Sequence, residues 1–281
     1  MKKSIFKTVV ILIFVVLFST IFLGAQRPND FDDLKIEYDL PIIMYHATHK
    51  GKPAKYNLPP DALEKDFVYI LECGYTPIFI KDLINFTEND KPLPPKPIMI
   101  TFDDAYTNNY LYAWPIIKKH QIKCVMSVVG KFIDDNYKEG KLCPTGSHLT
   151  YEEIDELNKS GIVEIQNHTY NCHGKSGRVG LAKKKRESYE EYEKTISNDL
   201  MLLQNKLKEK LNINCTAVTY PFGSCSKETE KVIKKLGFKA ALTCAEGTNK
   251  IKQGANLFCL KRYNRPGGKT AEAFFGKIGV K

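Results

Sequence analysis

At 281 residues, 43% hydrophobic and 26% charged with 18 Gly, the chain has a globular composition and enough apolar residues for a sizeable core. Lys and Arg outnumber Asp and Glu by 42 to 32, a formal charge of +10. Interspersed charge and one apolar run of membrane length exclude disorder, collagen and a multi-span membrane protein.

That run is Thr8 to Leu23, led by Lys2, Lys3 and Lys7 and followed by Gly24, Ala25 and Gln26. Residues 1–25 read as a signal peptide or an uncleaved membrane anchor: Leu23 suits an Ala-x-Ala-type cleavage site poorly, and the leading lysines favour an inside N-terminus. The remainder of the chain is expected outside the cytoplasm, secreted or held at the outer face of the cell membrane. Without the leader lysines it carries +7, 39 basic against 32 acidic residues. That balance suits anionic wall polymers or lipid headgroups rather than nucleic acid, or simply a solvated basic surface. The eight cysteines include no C-x-x-C pair, which excludes a zinc ribbon and leaves their pairing open.

Residues 26–39 are polar and carry five acidic residues, as a tether would, and residues 40–281 form the expected folded domain. Apolar runs rich in β-branched and aromatic residues predict strands at Leu40–Tyr45, Thr76–Ile80, Pro97–Phe102, Ile122–Val129, Ile162–Gln166, Thr216–Tyr220, Phe238–Thr243 and Leu257–Arg262. Helices lie between them. Thr150 with Glu153 and Ser188 with Glu191 are capping boxes; the second opens a long helix striped by Tyr189, Tyr192, Ile196, Leu200, Leu203, Leu207 and Leu211. Alternating strand and helix predict right-handed βαβ units and a TIM-like, distorted α/β barrel of 7–8 parallel strands, with an open doubly wound sheet as the alternative.

In such a barrel reactive groups gather at the C-terminal strand ends. There the sequence places His46, then Asp103-Asp104, then His168 and His173, then Tyr220-Pro221-Phe222-Gly223. Taken singly, an Asp pair after a strand is usually a turn or helix cap, and a lone His is usually structural. Together, a carboxylate and two imidazoles make a ligand set for one divalent cation, zinc first, with cobalt, manganese, nickel and iron as the other candidates. His168 and His173 are five residues apart, about 140° around a helix, so the pair must lie on a loop that curls back. Cys172 reads as a spectator thiol, His148 and His49 as surface residues, and Tyr112 and Trp114 as core.

Thr101-Phe102-Asp103-Asp104, His168-Thr169-x-x-x-His173 and Tyr220-Pro221-Phe222-Gly223, in that order, resemble the motifs of polysaccharide deacetylases with the NodB-homology domain, carbohydrate esterase family 4. The His spacing and the early Tyr45-His46 look like the branch acting on poly-N-acetylglucosamine. The resemblance implies a metal-dependent N-deacetylase, a hydrolase of carbon–nitrogen bonds other than peptide bonds, with an N-acetylated polysaccharide as partner. It implies Asp103 as base, Asp104, His168 and His173 as metal ligands, and Phe222 with Tyr220, Pro221 and Gly223 as oxyanion or substrate-binding residues. Two departures stand out: Thr219 replaces the Arg that usually opens the third motif, and Leu260-Lys261-Arg262 replaces a late Leu-x-His. With no histidine after His173, His46 is the expected acid. A glycan-binding barrel without hydrolysis, an O-acetyl esterase of the same fold and a two-metal phosphoesterase are the rival readings. A monomer is expected.

Overall fold

Pro97 to Phe102 are all buried, the mark of a strand covered on both faces, and they form the middle of a parallel sheet. The computed structural model describes residues 36–139, 143, 145–174 and 178–281, so the expected leader lies outside the described residues. Glu37–Lys281 pack as one compact unit. Its strands are β1 (Tyr38–Leu40), β2 (Ile42–Tyr45), β3 (Thr76–Pro77), β4 (Pro97–Phe102), β5 (Cys124–Val128), β6 (Val163–Asn167), β7 (Ala217–Thr219), β8 (Ala240–Leu242), β9 (Asn249–Ile251) and β10 (Tyr263–Asn264). The main sheet runs β10-β2-β4-β5-β6-β7-β8, every pair parallel, with β3 beside the start of β4. β1 and β9 form a separate antiparallel pair. This is the expected distorted (β/α) barrel, and no dinucleotide-type open sheet is needed.

Side chains alternate across the strands. Ile43, Tyr45, Ile98, Ile100, Phe102, Met126, Val128, Ile165 and Val218 pack outward against helix residues such as Phe67, Ile117, Ile154, Tyr192, Leu200 and Leu203. The opposite set, Ile42, Met99, Val125, Ala217, Ala240 and Leu242, faces the interior with Ile80, Leu83 and Phe86 from the helix Ile80–Asn89. Further along the same strands the interior turns polar: Thr101, Ser127 and Thr219 are fully buried, and Ser127 Oγ lies 2.7 Å from Thr219 Oγ1. The barrel is thus apolar at one end and hydrogen-bonding at the C-terminal end, where chemistry is expected.

Both capping boxes form, at Thr150 and Ser188, and Tyr192, Ile196, Leu200, Leu203 and Leu207 of the predicted stripe are the buried face of the helix Tyr189–Leu211, with Tyr189 and Leu211 half-buried at its ends. The expected strand Leu257–Arg262 does not form. Its apolar residues Leu257, Phe258 and Leu260 are buried, but the segment follows β8 through isolated bonds: Ala241 N to Leu257 O, Leu260 N to Ala241 O and Thr243 N to Leu260 O. It then crosses to the opposite edge, where β10 pairs with β2. Composition alone does not separate such a closing plug from a strand. None of the eight cysteines is bonded to another.

The closing segment is anchored by a buried ion pair. Arg265 donates from Nε to Asp66 Oδ2 and from Nη2 to Asp66 Oδ1, both at 2.8 Å, and Tyr45 adds its hydroxyl to Oδ2 at 3.0 Å. Removing one partner strands a charge in a site closed to water. Asp66→Ala is predicted to cost about 3–5 kcal/mol in urea unfolding, and Asp66→Ala with Arg265→Met to recover much of it; additive losses in the double variant would contradict this account of the anchor.

Candidate active site and metal centre

Register fixes the site. Tyr45 pairs with Phe102 across β2 and β4, and Asp103 N–H donates to Tyr45 O at 3.0 Å, so His46 and Asp103 leave neighbouring strands side by side. The backbone then bends sharply. Among the described non-glycine residues with positive φ, Asp90, Gln121 and Asn212 are ordinary left-handed helix C-caps. The other four are Asp104 (68°), Ala105 (52°), Thr169 (73°) and Phe222 (59°), all in the turns that follow β4, β6 and β7. Strained conformations of about 1–3 kcal/mol each persist where surrounding contacts impose them.

Those contacts are visible after β6. Asn167 accepts Thr169 N–H at 2.8 Å and donates to Leu200 O at 3.1 Å. Asp199, also on the long helix, accepts the N–H groups of Tyr170 and Asn171, each at 2.8 Å. The two histidines therefore lie on a loop that returns, as their spacing requires. Their rings meet edge to face at 5.0 Å.

Asp104 Oδ1 lies 3.5 Å from His168 Nε2 and 3.0 Å from His173 Nε2. The three ligand atoms fall within 4.8 Å of one another. His168 Nδ1 sits 2.8 Å from the carbonyl of Thr219. A carbonyl only accepts, so Nδ1 carries a proton and Nε2 is the ring atom turned toward Asp104. Asp104 Oδ1 is buried and receives no hydrogen bond of ordinary geometry. Burial pushes the Asp104 carboxyl up, but contacts with His168 and His173 outweigh it and hold it well below the usual carboxylate range. Burial would lower His168; the Asp104 contact, the charges on Asp103 and Asp104 and the Thr219 carbonyl raise it instead. A carboxylate oxygen and two imidazole nitrogens converging with an unsatisfied oxygen between them is a donor set that fits one borderline divalent cation.

Asp103 is held differently. Its Oδ1 and Oδ2 accept from Arg262 Nη1 and Nη2 at 2.7 and 2.8 Å, and Arg262 also donates from Nε to Thr243 O and from Nη1 to Thr101 Oγ1. Arg262 is fully buried. Burial raises the Asp103 carboxyl, but the guanidinium more than offsets it and the group stays ionised. Arg262 is not among the residues singled out from the sequence, where its position reads only as a missing histidine. The one signal in the sequence is that Arg262 closes the apolar run Leu257 to Leu260 two residues on, and a buried guanidinium needs an anion.

His46 Nδ1 is buried without a hydrogen bond, and its ring lies 4.5 Å from Tyr56. Burial lowers its pKa, with Asp103 and Asp104 pulling the other way. Of the last motif, Phe222 is 58% exposed with its ring 4.7 Å from His173. Gly223 adopts φ 67°, and a Cβ there would meet Cys244 at 2.9 Å. Tyr220 and Pro221 are buried, and Tyr220 gives its hydroxyl to Phe258 O, so Tyr220 acts as core rather than as a site surface. His148 is not a plain surface residue either: it stacks between Tyr106 and Phe132 at 4.9 and 4.3 Å. These rings, with His173 and Phe222, line a cavity of about 630 Å³ beside the cluster. Burial and then the charge and hydrogen bond of Asp104 raise the Tyr106 hydroxyl above the ordinary phenol range. Trp114 and Cys172 are buried away from solvent.

The profile of the polysaccharide deacetylase family matches residues 90–241, a span that holds Asp103, Asp104, His168, His173 and Phe222 but neither His46 nor Arg262. YxkH of Bacillus subtilis, a polysaccharide deacetylase by name, is 28% identical over 235 residues, 84% of this chain and 74% of that protein. The poly-beta-1,6-N-acetyl-D-glucosamine N-deacetylase of Escherichia coli K12 is 27% identical over 205 residues, 66% of this chain but 30% of that protein, so the chain spans under a third of its length. Among solved structures, the Streptococcus pyogenes deacetylase PplD in complex with acetate superposes with a TM-score of 0.70 at 23% identity, over 86% of this chain and 99% of that one. IcaB from Ammonifex degensii gives 0.67 at 21%, over 80% and 91%. At these identities the structural likeness speaks for the fold. The chain belongs to the polysaccharide deacetylase family, hydrolases of N-acetyl amide bonds.

Proposed function

We propose that this chain removes N-acetyl groups from an extracytoplasmic polysaccharide of N-acetylglucosamine, releasing acetate and leaving a free amine on the glycan. The observation that carries this reading is the pair of adjacent buried carboxylates with separate partners: Asp104 turned to two imidazoles, Asp103 gripped by Arg262. The names of the E. coli relative and of several Staphylococcus aureus relatives, poly-beta-1,6-N-acetyl-D-glucosamine N-deacetylases, support the choice of glycan. The lysine-led apolar run at residues 1–25 supports export.

Asp104, His168 and His173 would hold one divalent cation, zinc first among the candidates, which when bound supplies Lewis-acid polarisation and acidifies water. Asp103, kept anionic and oriented by the Arg262 fork, takes the proton from the attacking water at a carboxylate oxygen. The backbone N–H of Phe222 would donate to the developing oxyanion. His46, in the imidazolium form that the charges of Asp103 and Asp104 favour, delivers a proton to the departing glucosamine nitrogen, and the proton taken up by Asp103 restores that form. Against a binding-only barrel, the Arg262 fork on Asp103 and the position of His46 at the end of β2 support the hydrolytic reading.

The direct test is acetate release from poly-β-1,6-N-acetylglucosamine, peptidoglycan, chitin oligomers and acetylated xylan with defined cations. The expected result is release from the N-acetylglucosamine polymer that a chelator abolishes; no release from any polymer with any cation would overturn the proposal. Asp103→Asn should keep the cation and lose about 10²- to 10⁴-fold in turnover, the scale of a general base. His168→Ala should instead lose the cation, read by elemental analysis after dialysis. Arg262→Lys preserves charge but not the fork, and its kcat should fall about tenfold or more at unchanged cation content; an unaltered kcat would remove Arg262 from the site.

A further inference from the structure

Among the described residues, two aromatic side chains are strongly exposed, Tyr56 at 48% and Phe222 at 58%, and each packs on an imidazole of the site. Phe222 belongs to the motif already discussed. Tyr56 does not: it lies on the excursion between β2 and the helix Pro60–Glu72, in a segment that no motif covers.

That excursion is tightly built. Ala47 N donates to Tyr56 O at 2.9 Å and Leu58 N to Ala47 O at 3.1 Å, so the loop closes on the residue after His46. Inside it the buried Asn57 accepts His49 N–H at 3.1 Å and donates to the carbonyls of His49, Gly51 and Lys52. Asn264 of β10 bonds Lys55 O at 3.0 Å, and Asn108 accepts Thr48 N–H at 2.8 Å. The scaffold fixes the Tyr56 backbone while leaving the residue 48% exposed, with the His46 ring 4.5 Å away and Lys55 Nζ 5.0 Å from the ring centroid. Packing alone does not call for that placement, since an aromatic ring is stabilised by burying its area.

A pyranose offers what such a ring accepts: a face of C–H groups, apolar and flat enough to lie on an aromatic surface, with its hydroxyls directed to water. We propose that Tyr56 is a sugar-stacking platform that seats a residue of the glycan next to the scissile N-acetyl unit, on the side of the site opposite Phe222. The inference rests on the deacetylase reading and adds to it a substrate preference. Tyr56 stands by the end of β2 and Phe222 follows β7. The order β2-β4-β5-β6-β7 separates them by four strand steps. At about 4.8 Å per strand this is an arc of at most about 19 Å, the reach of a short oligosaccharide. The protein therefore grips an internal stretch of a polymer and takes short oligomers poorly.

The test uses the full chain loaded with its cation, N-acetylglucosamine oligomers of increasing length and a small chromogenic acetate ester. In Tyr56→Ala the loss in kcat/KM is expected to grow with oligomer length, reaching about tenfold on the longest through KM, the equivalent of about 1.4 kcal/mol. Tyr56→Phe should restore the wild-type KM. Equal loss of kcat on every substrate, the ester included, would overturn the platform and assign Tyr56 to orienting His46. So would an unchanged KM on the longest oligomer. Calorimetric binding of the longest oligomer to the wild type and to Tyr56→Ala is read separately. A wild type that binds glycan but releases no acetate sinks the deacetylase reading alone, whereas equal binding by both proteins sinks the platform alone.

Discussion

Two neighbouring carboxylates, 2% and 5% exposed, are the constraint around which the end of this barrel is arranged. Side by side and out of water, Asp103 and Asp104 would repel each other, and at least one would take up a proton unless each had a partner that stabilises its anion. The protein answers the two charges in different ways. Asp103 receives a fixed guanidinium in a two-point fork. Asp104 receives two imidazoles, one of which has its proton committed elsewhere. This asymmetry separates the duties: the first carboxylate is locked as an anion and the second presents an oxygen with no donor of its own.

The rest of the molecule supports that arrangement. The interior is apolar along most of the strands and becomes polar where Thr101, Ser127 and Thr219 meet, so Arg262 finds acceptors besides Asp103. Thr219 has a second task, since its carbonyl sets the tautomer of His168. The left-handed turns at Asp104, Ala105, Thr169 and Phe222 follow β4, β6 and β7, and Asn167 and Asp199 hold the turn that carries the histidines. Strain and support thus lie within a few residues of each other.

Strand β4 was legible residue for residue because six buried positions end directly in Asp-Asp, and the triad was legible because it sits in short motifs at strand ends. The closing segment was not. Leu257 to Arg262 has the composition of a strand, and only the three-dimensional closure from the β8 edge to the β2 edge shows that it is a plug delivering an arginine. Arg262 is 159 residues from Asp103, so no local spacing announces the pair. Tyr220 and His148 were misplaced for a related reason: a tyrosine beside a turn and a histidine before a helix cap look alike in sequence whether buried or exposed. Tyr56 lies on a loop whose path is set by Asn57, a side chain that carries no chemistry of its own.

Asp104, His168 and His173 are proposed to grip one cation between them. Titration of the metal-free chain with Co²⁺, followed by visible absorption, tests it most directly, because the d–d bands report nitrogen and oxygen ligands without reference to turnover. The bands should saturate at one Co²⁺ per chain and vanish in Asp104→Ala. Saturation at two, or bands that persist without Asp104, would contradict it.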